Sequence, residues 1–271
     1  MLTFALQNLQ IYISQRHDGS FRRHRAIEEF LADQQLLKKN SQLIHIQLQN
    51  KDRVIVLDET HIFNDKKKKL IKADAVISNL AKADFQRGEK EAKQTLISMV
   101  LGDCFPLIFF DQKSKNIAMI HAGWEPLYLN ILDQVWQMML DLWQTSPHQI
   151  WAFLGPGIRA ESYRTVHRPR QFQEPHWQKY IKYQNNTVKK SAIRLGEQAT
   201  YWQIDLPSFI KDFLTTHHLP KSQFLDCQLD TYTLGDEFFS YRRSQELLAK
   251  GEQKAARLNN GRFFVTCQLS K

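Results

Sequence analysis

The chain has 271 residues, with 37 Lys plus Arg against 28 Asp plus Glu and a formal charge of +9. That length can bury a substantial core, as one large mixed domain or two intimate ones. No apolar run is long enough to span a bilayer and no secretory leader opens the chain, so a cytoplasmic protein without a membrane partner is expected. Cysteines at 104, 227 and 267 are too few and too scattered for a disulfide framework, and no close pair marks a zinc knuckle. The positive balance favours phosphate, nucleotide or nucleic-acid partners only in general terms. The tetralysine at Lys66 to Lys69 is read as a solvated loop. No stacking aromatics interleave with it, so no specific nucleic-acid interaction is expected.

In chain order, FALQNLQIYIS predicts one strand around Leu9 to Ser14. The polar turn QRHDGSFRRHR carries Arg16, His17, Arg22, Arg23 and Arg25, which could face an anionic ligand or plain solvent. From His24 to Leu37 the spacing of Ile27, Leu31 and Leu37, with Phe30 beside them, predicts an amphipathic helix. QLIHIQLQ and RVIVLDE read as two strands joined through Asn50, Lys51 and Asp52 as a hairpin or tight connection. ADAVIS is a further strand, and KADFQRGEKEAKQT is helix-like.

The stretch Leu101 to Trp124, LGDCFPLIFFDQKSKNIAMIHAGW, organises the rest. Its apolar segments LIFF and NIAMI flank a polar turn, and in a hairpin they can bring Cys104 and His121 together. PLYLNILDQVWQMMLDLW then predicts one long helix with Pro126 in its first turn. IWAFLGPGI is a buried strand ending in a turn. Residues 161–201 are basic, polar and aromatic, expected as irregular structure followed by a helix over VKKSAIRLGEQA. TYWQID, a helix near 207–218, a strand in QFLDCQLDTYT, a helix after EFFSYRR and a terminal strand RFFVTCQL complete the chain. Mixed order without a linker or repeat predicts an α/β or α+β fold around a mixed sheet system.

Thiolate and imidazole suit a borderline-soft ion, so Cys104 and His121 could be two zinc ligands. They could equally be a nucleophile and its base. A third donor could come from His45, Gln49, His61 or Cys227. Asp103 could orient the imidazole or cap a turn. In FFSYRR, Arg242 or Arg243 could fork onto phosphate while Tyr241 or a phenylalanine packs on a base; Gly261 and Arg262 offer a similar pair.

Taken together, ADAVIS, GDCFPLIFFD, IAMIHAGW, FLGPGI, Tyr163, DTYT, FFSYRR and NGR resemble, in order and spacing, the YfiH-like multicopper polyphenol oxidoreductase (laccase-domain) family. That family is also described as purine nucleoside phosphorylases. The resemblance implies a compact αββα arrangement over residues 1–271, with a variable insertion around 164–200. It also implies purine nucleoside and phosphate as substrates, through phosphorolysis or adenosine deamination, in a monomer or a homodimer. A Cys and two His form the implied metal site, which Cys104 and His121 match, with Gln49 where the second histidine is expected. Catalytic roles fall to Cys104, His121 and Asp103, and ligand contacts to Tyr163, Arg242, Arg243 and Arg262. Zn²⁺ is the implied ion; copper is less well supported, because repeated His motifs are missing. Departures also include Glu125 and Pro126 for Arg and Gly after HAGW, Arg164 for Glu after Tyr163, and Asp230 for Cys. They leave room for a nucleoside-binding protein that has lost its chemistry.

Overall fold

The computed structural model describes residues 1–38, 41–58, 70–78, 95–185 and 200–269. Its strands are β1 (Leu2–Leu6), β2 (Leu9–Ile13), β3 (Gln42–Gln47), β4 (Val54–Leu57), β5 (Leu70–Lys72), β6 (Ala75–Ser78), β7 (Thr95–Leu101) and β8 (Phe105–Asp111). They continue with β9 (Asn116–Ala122), β10 (Ile150–Leu154), β11 (Arg164–Thr165), β12 (Ile181–Asn185), β13 (Thr200–Ile204), β14 (Phe224–Asp226) and β15 (Phe263–Leu269). One six-stranded sheet runs β1-β2-β15-β7-β3-β5, a second runs β14-β10-β8-β9-β6-β4, and β11-β13-β12 form a small third sheet.

Alternation along the strands explains how the two large sheets stack. In β8, Ile108 and Phe110 join Ile11, Ile44, Ile97 and Met99 in the layer between the sheets, whereas Phe105, Leu107 and Phe109 point the other way. There they meet Val135, Trp136 and Met139 of the helix Ile131–Trp143 and Ile210 of the helix Leu206–Thr216. On the outer face of the first sheet, Leu43, Leu96 and Phe264 pack on Ile27 and Leu31 of the helix His24–Asp33. Helix, sheet, sheet, helix is the resulting order. Strands buried on both faces read as unbroken apolar runs, which is why LIFF and NIAMI carry no polar alternation.

Several expectations are corrected. β3 and β4 are not a hairpin: they belong to different sheets, and the turn between them wraps a buried carboxylate instead. The long helix after HAGW is two, Trp124–Tyr128 and Ile131–Trp143, because Asn130 takes a left-handed conformation (φ 61°). The helix from His24 ends at Asp33, with Gln35 at φ 59°. β1 precedes the expected first strand, paired with β2 across a turn at Gln7 (φ 56°) that lacks the usual hairpin residues. Between 161 and 204 the structure holds the small sheet. Lys66 to Lys69, residues 82–94 and 188–199, and His61 lie outside the described residues. No helix among the described residues is long and apolar enough to cross a membrane.

His45 cannot serve the Cys104–His121 pair. Its neighbours Ile44 and Ile46 face the layer between the sheets, so His45 points to the outer face, with Nδ1 3.0 Å from Ser98 Oγ and its ring tilted against that of His24 at 5.3 Å. Burial, helped by His24, pushes its pKa down to about 4. The unfolded chain therefore takes up this proton first, and the stability present above pH 6.5 is lost as pH falls towards 4, by up to about 3 kcal/mol. Urea unfolding between pH 4 and 7 should show this slope in the wild type and lose about that amount of it in His45→Gln.

Candidate active site

The site lies at the end of the β8–β9 hairpin, whose register sets Pro106 opposite His121 and Phe105 opposite Ala122. Cys104 immediately precedes β8. His121, on the same face as Ile117 and Met119, is 2% exposed. Asp74, at the entry to β6 and with no exposed surface, fixes the imidazole: its Oδ1 lies 3.0 Å from His121 Nδ1. The same carboxylate accepts backbone N–H groups from Gln49 (3.1 Å), Asn50 (2.8 Å) and Lys51 (3.0 Å). A carboxylate so supplied with donors stays ionised, and its charge assigns the Nδ1 proton to the Asp74 side. Nε2 is left to face Cys104.

Gly123 shows how close that approach is. A Cβ at this position would lie 2.8 Å from His121 Nε2 and 2.9 Å from Cys104 Sγ. The thiol and the imidazole hydrogen-bond each other. Burial disfavours a charged His121, but the Cys104 thiolate and Asp74 outweigh it and hold the imidazole pKa up to about 9.

Around the pair stand Tyr163, Arg242 and Arg262. The Arg242 guanidinium lies 5.4 Å from the Tyr163 ring centre, and Trp124, next to Gly123, meets that ring edge-on at 6.3 Å. Burial raises the Tyr163 hydroxyl, and the neighbouring Cys104 adds to the effect. The Arg262 side chain runs past Gly102, 3.5 Å from where a Cβ would sit, and its charge interacts with Cys104 and Asp103. Tyr241 is half-exposed beneath Arg262 at 5.8 Å, while Phe238 and Phe239 are core residues and offer no face to a base.

Other expected residues have different work. Asp103 ties three segments together: it accepts from Thr231 Oγ1 (2.8 Å) and from the Arg242 backbone N–H (2.7 Å) in the first turn of the helix Tyr241–Ala249. Its burial raises the carboxyl pKa despite these bonds. Its role is to place Arg242 and the Cys104 turn. Arg243, expected to contact ligand, has its guanidinium nitrogens engaged by the chain itself, at Asn259 Oδ1 and the carbonyls of Thr231, Tyr232 and Phe238. Cys227 sits beside the Arg159–Asp226 ion pair, where burial pushes its thiol up to about 11. Gln49 contributes its backbone, not its carboxamide: Nε2 donates to the carbonyls of Gln47 and Leu48 within its own turn. Glu125 pairs with Arg170, and Asp230 accepts from Ser162, Arg159 and Tyr232. Asp74 was missed in the sequence, although an acid opening the buried strand ADAVIS must find partners.

A family model described as multi-copper polyphenol oxidoreductase laccase matches residues 28–256. The chain belongs to this family. A purine nucleoside phosphorylase of Rickettsia prowazekii is 22% identical over 202 residues, covering 74% of this chain and 75% of that protein. One from Bacteroides thetaiotaomicron is 29% identical over 142 residues, 52% of this chain and 49% of that protein, so the match spans about half of it. The structure of YlmD from Geobacillus stearothermophilus gives a TM-score of 0.69 at 15% identity, covering 98% of this chain and 93% of that one, which speaks for the fold.

The family description names copper, so the donors were weighed against a resident ion. A protein-bound zinc takes three or four side-chain donors, and a multi-copper centre needs more imidazoles. Among the described residues no three His, Cys, Asp or Glu side chains converge on one point. Cys104 and His121 are directed at each other, Asp74 is spent on Nδ1, and the Gln49 carboxamide nitrogen is bound to its own turn. The donors among the described residues do not fit such a centre.

Gly123 has φ −95°, which any residue adopts, so Gly123→Ala isolates the steric demand of the pair. It should cost about 1–3 kcal/mol in urea unfolding.

Proposed function

We propose that this chain acts on purine nucleosides, and that phosphorolysis of the glycosidic bond is its reaction. The observation that carries the reading is the Cys104–His121 pair across Gly123 with aromatic and guanidinium groups on its rim. The names of the Rickettsia and Bacteroides relatives support the substrate class.

In this reading Arg242 and Arg262 hold phosphate, since a guanidinium offers paired donors to its oxygens. Trp124 and Tyr163 flank the base. A phosphate oxygen bonds to the anomeric carbon as the bond from that carbon to the purine nitrogen breaks. The products are ribose 1-phosphate and a purine that takes up one proton. The proton held between Cys104 Sγ and His121 Nε2 supplies it, and Asp74 keeps the imidazole aimed through the transfer. Positioning and proton transfer are the contributions assigned to the chain; no step is assigned to a metal. Adenosine deamination needs an activated water at the purine ring, and among the described residues no three donors converge to hold an ion that would activate one.

The test is base release from adenosine, inosine and methylthioadenosine with and without phosphate, followed by chromatography. Phosphate-dependent release is expected. Cys104→Ala and His121→Ala should each lower kcat by about 10²-fold or more. Arg242→Ala and Arg262→Ala should raise the KM for phosphate, while Arg243→Ala should act through loss of folded protein. Nucleoside binding without turnover in the wild type would replace this reading with that of a binding protein.

A further inference from the structure

Cys104 has a second property that does not depend on the nucleoside reading. It is partly buried, as is Cys227, whereas Cys267 is fully buried; burial pushes the thiols of Cys227 and Cys267 up. Its thiol faces an imidazole whose other nitrogen is anchored on Asp74, and that aspartate is itself held by three backbone N–H groups. Two guanidinium groups, Arg242 and Arg262, stand close enough for their charges to be felt at the site, Arg262 directly by Cys104. This cationic rim acts in opposite directions on the two candidate occupants of the site. It attracts an anion, and it repels a divalent cation that finds no third donor among the described residues.

We infer that Asp74, His121 and Cys104 form a relay that operates without a resident metal ion, with Cys104 as a nucleophilic thiolate towards soft carbon electrophiles and Asp74 as its positioning residue. With iodoacetamide, Sγ attacks the methylene carbon, a C–S bond forms, the C–I bond breaks and iodide leaves with the bonding pair. The thiol proton passes to His121 Nε2, and the Nδ1 proton stays on His121, donated to the Asp74 carboxylate. The electrophile is consumed one for one, with no oxidant or reductant.

The experiment uses the full chain, treated with chelator and dialysed, and follows iodoacetamide labelling of each cysteine by peptide mass spectrometry with and without one equivalent of Zn²⁺. Cys104 should react at least about tenfold faster than Cys227 or Cys267. Zinc should change that rate less than about twofold, since among the described residues it finds only two donors. His121→Gln should bring Cys104 close to the rate of Cys227. Asp74→Asn should slow it and also remove the His121 Nδ1–H signal from the proton–nitrogen spectrum, a signature that a purely structural role would not move. Should Asp74→Asn fail to fold, His121→Gln and the zinc comparison decide alone. A wild-type chain purified with one zinc, protection of Cys104 by zinc, or labelling no faster than at Cys227 would overturn the inference. None of these outcomes bears on phosphate-dependent base release.

Discussion

A carboxylate with no exposed surface has to be paid for by its partners, and Asp74 has four: three consecutive backbone N–H groups and one imidazole. Removing an ionised carboxylate from water costs several kcal/mol, and only directed donors of this kind offset it. The consequence is mechanical as well as electrostatic. The turn 49–51 leaves the first sheet at the end of β3, β6 belongs to the second, and His121 is on β9 of the second. One side chain therefore clamps the two sheets together at the end of the sandwich where the site lies. It also selects which imidazole nitrogen faces Cys104.

A second knot works from the other side. Asp103 joins the Cys104 turn to the Thr231 loop and to the start of the helix that carries Arg242. Its own backbone carbonyl accepts from Ile158, bringing the GPGI turn to the same place. The two aspartates divide the labour: Asp74 aims the imidazole, and Asp103 sets the distance between the thiol and its cationic rim. Neither needs to touch a substrate to matter. An acid that supports geometry and an acid that exchanges protons look alike in a sequence, which is why Asp103 read there as a catalytic candidate.

Local patterning carried much of the fold. β8, β9, β10 and β15 are legible because strands buried on both faces leave apolar runs bounded by turn residues, and β13 is legible from its β-branched and aromatic residues. The pairing was less legible. QLIHIQLQ and RVIVLDE are adjacent and both apolar, and nothing in them reveals that the chain crosses to the other sheet between them. The demand of Asp74 for donors, made some two dozen positions later, determines what that turn does. Arg243 shows the same limit at the site. It is indistinguishable from Arg242 in FFSYRR, yet helical geometry turns one guanidinium towards Tyr163 and the other into four acceptors of the chain itself.

The changes around HAGW follow the same logic of local repair. Glu125 meets Arg170, and the Arg170 guanidinium also rides over the Tyr128 ring at 5.1 Å, so the reversed charge is answered within the small-sheet region. Asp230 is answered by Ser162 and two backbone N–H groups, and Gln49 by its own turn. Each substituted residue is satisfied by the chain without reaching towards Cys104 or His121. Among the described residues, the groups that stand by the pair are Tyr163, Arg242 and Arg262. In the proposed reading these groups are the proton-transfer pair and the anion rim, the parts that phosphate-dependent cleavage requires.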